Sequence, residues 1–405
     1  MLMSFALIFI VGLALGALCG LIKLPKIIGM LAAGIILGPY VLNVIDPSVL
    51  SASADLRKAA LVIILLKAGL SLDINDLKKV GRPAVMLSFV PASFEIIGYV
   101  LLAPLILGIT RTEAAVMGAV LAAVSPAVVV PRMVKLIEEK RGTDKAIPQM
   151  IMAGASCDDI FVIVLFSTFL SMAQGGNSGG VDAAAFINIP VSIILGIAVG
   201  AVSGLVLHLF FEKAFSLGHG IRNSTKTVIV LAAAFFLTAA ESFCGKISFS
   251  GLLAVVSLAC VLRMKSVPEV SGALSAKFGK IWIAAEVMLF VLVGAAVDIR
   301  YTLEAGVGAV IMIFAALIFR SIGVVICTAG TSLTLKERIF CVAAYLPKAT
   351  VQAAIGSVPL AAGLACGNIV LSVAVMAIII TAPLGALLID VGSRSLNAEN
   401  GGNKQ

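Results

Sequence analysis

The segment Ala155-Ser156-Cys157-Asp158-Asp159-Ile160 sets two neighbouring carboxylates inside an apolar run. From Pro148 to Leu170 the only other ionisable side chain is the Cys157 thiol. A helix starting near Pro148 rises about 1.5 Å per residue, so the two aspartates lie roughly 15 Å in, halfway through a bilayer core about 30 Å thick. Ionisable groups at that depth are costly, and by default they mark an ion or proton path. The rest of the chain must make this pair tolerable and useful.

The surrounding composition agrees with a membrane setting. Of 405 residues, 61% are hydrophobic and 12% charged, and the mean hydropathy is +1.16. A soluble domain needs a charged surface around its core, so the expected class is an all-α polytopic membrane protein. Apolar runs of sufficient length give about thirteen spans. They fall near 3–22, 27–43, 56–72, 84–107, 114–134, 149–171, 187–211, 226–244, 249–263, 281–298, 306–329, 337–358 and 369–390. With the first connection taken as cytoplasmic, twenty-one of the 29 Lys and Arg residues fall on that side. Five fall on the other side, and Lys67, Arg320 and Lys348 lie inside spans. That bias predicts an external N-terminus and a cytoplasmic C-terminus in the cell membrane. The net charge of +8 is therefore a topology signal and not a nucleic-acid footprint. The first run lacks a basic leader and a small-residue cleavage pattern, so it is expected to be retained. Seven scattered cysteines without CxxC, and only His208 and His219, suggest no disulfide framework, structural metal or cofactor. The longest polar connections are 174–182 and 262–280, and a short disordered tail is expected over 391–405.

Two spans carry breakers. The fifth contains Ser125-Pro126-Ala127-Val128-Val129-Val130-Pro131, where both prolines are expected to unwind the helix. The twelfth contains Leu346-Pro347-Lys348-Ala349-Thr350, followed by Gly356 and Pro359. Unwound backbone at membrane depth survives only where protein or a cavity surrounds it. The two spans lie seven apart, which implies inverted halves over roughly 1–171 and 226–390, joined by a linking span at 187–211. Paired interrupted segments of this kind point to a transporter site. Its lining is expected to include Ser125, Pro126, Val128, Val129, Pro131, Pro347 and Thr350.

The same offset relates Glu95 in span four to Arg320 in span eleven. Asp158, Asp159 and Glu95 carry three negative charges, and Arg320 and Lys348 carry two positive ones. The deficit of one positive charge leaves a place for one monovalent cation or one proton. Burial and a like-charged neighbour favour a neutral acid, and a nearby ammonium favours the carboxylate. When these influences balance, proton and cation compete for the same oxygens. Carboxylates and freed carbonyls are hard ligands suited to Na⁺ or Li⁺. Ser156 could add a further oxygen.

At VSPAVVVP (124–131), IPQMIMAGASCDDI (147–160) and LPKATVQAAIGSV (346–358) the chain closely resembles the NHA-type sodium/proton exchangers of the cation–proton antiporter superfamily. LVIILLKAGLSLD (61–73) and ITAPLG (380–385) add weaker support. The resemblance implies a secondary antiporter, not an enzyme, that exchanges Na⁺ or Li⁺ for H⁺. It implies a homodimer in which a six-helix core with two crossed, unwound helices moves like an elevator against a dimerisation domain. It also implies that Asp159 is the principal ion ligand, that Asp158 assists, that Lys348 pairs with Asp158, and that Glu95 and Arg320 form an intramembrane pair. Many electrogenic members combine Asp-Asp with a lysine near the position of Arg320, so this combination with arginine leaves stoichiometry open. A K⁺/H⁺ exchanger is one alternative. A sodium-coupled organic-anion carrier of related fold is another, although it would require a more polar cavity. An intramembrane aspartyl protease needs its acids opposed across a cleft, whereas sequence neighbours on one helix project about 100° apart.

Overall fold

A computed structural model describes residues 1–22, 24–71, 81–175, 183–216, 220–241 and 249–396. Every longer regular element among them is an α-helix. In chain order these are α1 (Leu2–Leu21), α2 (Lys26–Leu37), α3 (Pro47–Ser51), α4 (Ser53–Ser71), α5 (Arg82–Leu87) and α6 (Val90–Leu107). There follow α7 (Arg111–Ala122), α8 (Pro126–Glu138), α9 (Ile147–Gly175), α10 (Ala183–Ser216), α11 (Asn223–Ala240) and α12 (Gly251–Lys265). The chain continues through α13 (Pro268–Ala295), α14 (Ile299–Thr328), α15 (Leu335–Ala344), α16 (Thr350–Gly356), α17 (Val358–Ala361) and α18 (Gly367–Gly392). Each of the thirteen expected runs coincides with a helix or with a pair of half-helices. Among the described residues, nine helical segments are long and apolar enough to cross a membrane, and 26–37 and 350–361 are shorter apolar helices.

The inverted repeat is visible in the local chemistry. α7 opens with a capping box, in which Thr110 and Glu113 satisfy each other's backbone amides. α15 opens with the same device from Thr334 and Glu337. The same number of residues separates Thr110 from Pro126, where α8 begins, as separates Thr334 from Thr350, where α16 begins. Reciprocal capping fixes where each half-helix starts, and the helix after the break resumes the same number of residues beyond the cap in both.

The helices gather into two compact units. One comprises Met1–Val49, Asp73–Val162 and Phe290–Gln405, and the other Leu50–Leu72 and Ile163–Leu289. The second unit is organised by a small-residue seam. Gly196, Gly200 and Gly204 recur every four residues along α10 and face Ser250, Ala254 and Leu258, which recur every four along α12. A Cβ at Gly196 or Gly204 would stand 2.7 Å from the Ser250 or Leu258 carbonyl oxygen, and one at Gly200 would stand closer still to that of Ala254. Without a hydrophobic drive between helices in lipid, such close backbone approach supplies the packing. The Ser257 hydroxyl donates across the seam to the Ile197 carbonyl at 2.8 Å. Lys67 places Nζ 5.8 Å from the centre of the Trp282 ring, a cation–π contact.

In the first unit, α14 runs along α6, and a Cβ at Gly323 would stand 2.8 Å from Pro91 Cα. This approach brings Glu95 and Arg320 to face each other. On the other side of α6, Gly118 of α7 packs against Ile96 and Tyr99.

Several expectations need correction. Pro131 does not unwind its helix. It lies within α8, and only Pro126, at the first helical position where no amide is needed, marks the break. One lost hydrogen bond at Pro131 is absorbed because the turns on either side remain intact. Val128 and Val129 are likewise helical. The polar connection 262–280 is largely helix, since α13 begins at Pro268. Buried Ser271, Leu274, Phe278 and Trp282 give that stretch an inward stripe at helical spacing despite its lysines. α18 continues to Gly392 and a turn covers Ser393–Ser395, with Leu396 buried in the core beside Phe340 and Ile389. An apolar anchor thus orders the first part of the expected tail. Positions 72–73 of the LVIILLKAGLSLD stretch, most of the 174–182 connection, and the tail beyond 396 lie outside the described residues.

Replacing Gly200 with Val forces a side chain against the Ala254 carbonyl and should cost about 1–3 kcal/mol or more. The melting temperature in detergent should drop by several degrees, whereas Gly279→Ala, where nothing lies within 4 Å, should leave it unchanged.

Candidate functional site

Both breaks leave backbone groups without helical partners, and side chains from other helices reach in to satisfy them. α7 ends at Ala122, and Ala123 and Ser125 are extended. α15 ends at Ala344, after which Pro347 prevents resumption of the helix until Thr350. The two breaks cross and bond directly, the Ser125 amide donating to the Pro347 carbonyl at 2.8 Å. The Val124 amide donates to Asp158 Oδ2 at 2.8 Å. The Lys348 amide donates to Thr381 Oγ1 at 2.9 Å, and the Ala349 amide to Gln352 Oε1 at 2.8 Å.

The carbonyl ends are held by donors. Arg320 Nη1 donates to the Ala122 carbonyl and Nε to the Tyr345 carbonyl at 2.5 Å. One guanidinium therefore caps the negative end of α7 and the carbonyl that follows α15. Gln352 Nε2 reaches the Ala123 carbonyl at 2.8 Å and that of Leu121 at 3.3 Å.

The five charges singled out in the sequence are all buried. Arg320 and Asp158 are 0% exposed, Glu95 and Lys348 1%, and Asp159 8%. Arg320 Nη1 lies 2.8 Å from Glu95 Oε2 and Nη2 lies 3.2 Å from Asp158 Oδ2. Lys348 Nζ lies 2.6 Å from Glu95 Oε2. The expected Lys348–Asp158 pair does not form. Asp158 Oδ2 already accepts from Arg320 and Val124, and the Lys348 ammonium goes to Glu95, which thereby holds both cations.

Asp159 has no ion pair among the described residues. Asp159 Oδ1, Asp158 Oδ1 and Ser125 Oγ are buried without a hydrogen-bond partner there. Buried polar atoms are rarely left in this state without a reason. These three are hard oxygens, two of them anionic, and they match the preference of a small alkali cation. Ser156 is engaged otherwise, its hydroxyl donating to the Met152 carbonyl at 2.9 Å. Pro347 contributes its carbonyl to the crossing and packs its ring on Gly385. Thr350 is buried at the start of α16. Sequence reasoning missed Thr381 and Gln352. The available signal was an amide side chain in the first turn after a break, within a run otherwise apolar.

Comparisons with known proteins identify the family of the chain. The family model described as "Sodium/hydrogen exchanger, transmembrane" matches residues 5–390. The sodium/hydrogen exchanger 9B2 of Xenopus tropicalis is 36% identical, over 95% of this chain and 72% of its own length. The Homo sapiens 9B2 protein is 34% identical over 96% of this chain and 74% of its own. Homo sapiens 9B1 is 32% identical over 91% and 72% respectively. Among solved structures, the sodium proton antiporter MjNhaP1 from Methanocaldococcus jannaschii at pH 8 superposes with a TM-score of 0.78 at 19% identity, covering 98% of this chain and 99% of that one. The shared fold, together with a family match running almost from end to end, makes the chain a member of the transmembrane sodium/hydrogen exchanger family.

Proposed function

We propose that the protein exchanges Na⁺ or Li⁺ for H⁺, with cation and proton competing for Asp158 and Asp159. The observation that carries this reading is the set of unpartnered buried oxygens on Ser125, Asp158 and Asp159. The two aspartates have different roles. Asp158 is held by Arg320 and the Val124 amide, so it supplies a fixed negative field and one spare oxygen. Asp159, without an ion pair among the described residues, takes either the proton or the cation. The sodium/hydrogen exchanger names of the relatives support Na⁺ as the physiological cation.

The charge balance favours one ion for one proton. Two of the three acids are matched by Arg320 and Lys348, and the third binds either H⁺ or Na⁺, so the occupied core carries the same charge in both cases. Such a core can cross the membrane electric field loaded with either ion at similar cost, while the empty, negatively charged form is held back. Both breaks and all five charges belong to one compact unit, which suits an elevator-type motion in which the site travels as a body. A homodimer with an external N-terminus and cytoplasmic C-terminus completes the reading. The basic residues on the inner side support the orientation.

In vesicles loaded with a pH dye, Asp159→Asn should abolish Na⁺- and Li⁺-driven proton movement while leaving yield and melting temperature near those of the original protein. Exchange at the original rate would contradict the assignment. A charge rescue tests the balance. Glu95→Gln removes a partner from a buried cluster, at a cost of about 3–5 kcal/mol, and leaves no negative charge in excess, so cation binding should weaken at least about tenfold. Adding Lys348→Met restores the excess and should recover part of the affinity. A double variant no better than Glu95→Gln would show that charge balance does not govern the site.

A further inference from the structure

Gln352 is fully buried, the third residue of α16 after the break, and the exchange chemistry proposed above does not call on it. Its side chain nonetheless connects both breaks. Oε1 accepts from the Ala349 amide at 2.8 Å, across the twelfth span's own break. Nε2 donates to the fifth span's break, at the Ala123 and Leu121 carbonyls. Four consecutive carbonyls, from Leu121 to Val124, lose their helical partners where α7 gives way to α8, and Ser125 is the N-cap residue of the next helix. Leu121 and Ala123 are taken by Gln352, Ala122 by Arg320, and Ser125 by the Val128 and Val129 amides. Among the described residues no donor reaches the Val124 carbonyl, which follows directly on the amide that holds Asp158.

From this geometry we infer that Gln352 is a positioning residue. By holding the peptide planes on one side of Val124 it fixes how the 123–125 segment presents its oxygens beside the acidic pair, and thereby sets discrimination between Na⁺ and Li⁺. An alkali ion is selected by how closely hard ligands can approach it, and that depends on cavity size and rigidity. A segment extended on its own can relax around either ion. One clamped through the amide of a neighbouring helix, with every polar atom of that amide engaged, cannot. No contact between Gln352 and the ion is required. The inference rests on the acidic pair being the ion site, and it concerns the shape of that site only.

The test uses purified full-length protein in dye-loaded vesicles, measuring half-saturating Na⁺, half-saturating Li⁺ and maximal rate per folded transporter. Gln352→Met keeps the shape and removes both the donors and the acceptor, while Gln352→Asn keeps the amide and shortens its reach. For Gln352→Met the half-saturating Na⁺ should rise at least about fivefold, as expected for a lost buried hydrogen bond. The Li⁺-to-Na⁺ ratio should shift by roughly threefold or more, with maximal rate little changed. Gln352→Asn should fall between this variant and the original protein. A variant with lower yield or maximal rate but unaltered half-saturation and ratio for both ions would assign Gln352 to folding alone and overturn the inference. If Gln352→Met does not fold, Na⁺- and Li⁺-dependent thermal stabilisation of Gln352→Asn decides, and an unshifted ion preference overturns the proposal. Asp159→Asn run in parallel keeps the two questions apart. Retained exchange there removes the acidic-pair reading itself, whereas an unchanged Gln352 variant removes only the selectivity role.

Discussion

A helix interrupted inside a membrane releases amides and carbonyls that lipid cannot bond, and each one left bare costs several kcal/mol. The arrangement around α7–α8 and α15–α16 follows from that single constraint. The two interruptions are laid across each other so that one amide of the first meets one carbonyl of the second, Ser125 to Pro347. Most of what the crossing cannot satisfy is met by Asp158, Arg320, Gln352 and Thr381. Two of the buried charges, Asp158 and Arg320, therefore also serve as backbone caps. Removing Arg320 would expose the Ala122 and Tyr345 carbonyls as well as two acids.

This double use explains how an acidic doublet can persist at such depth. Asp158 is a backbone cap as much as an acid, and the Arg320 guanidinium that neutralises it is anchored by two carbonyls and by Glu95. Lys348, which follows the crossing proline, closes on Glu95. Beside this network Ser125 Oγ, Asp158 Oδ1 and Asp159 Oδ1 are buried without a partner among the described residues, as is the Tyr345 hydroxyl, and the Val124 carbonyl is also left without a donor there. On the reading proposed above, open oxygens beside an otherwise bonded and therefore rigid network would let a proton and a cation be exclusive occupants. If the surroundings were soft, both could be accommodated at partial occupancy and coupling would fail.

Much of this was legible from residue order. The doublet, both breakers and the Glu95–Arg320 correspondence stand out because charge and proline are rare in apolar runs, and each rarity has one physical reading. The seven-span offset followed from the same counting. What resisted were matters of three-dimensional competition. The partner of Lys348 depends on which acid Arg320 and Val124 have already engaged, and no spacing encodes that. Pro131 and Pro126 look alike in sequence, yet one sits where an amide is needed and the other where it is not. The early start of α13 was hidden because lysines at 277 and 280 outweigh, in a hydropathy count, the buried stripe from Ser271 to Trp282. Gln352 was overlooked because an isolated amide in an apolar helix carries no motif, and its importance lies in two carbonyls more than two hundred residues earlier in the chain.

The central claim is mutual exclusion at one acidic pair, and calorimetric titration of the purified protein with NaCl in buffers of different ionisation enthalpy measures it most directly. Binding of Na⁺ near neutral pH should release a proton, up to about one per cation, and apparent affinity should weaken by up to about tenfold for each unit of added acidity once the pair is protonated. Sodium binding that releases no proton and keeps its affinity across that range would contradict the account.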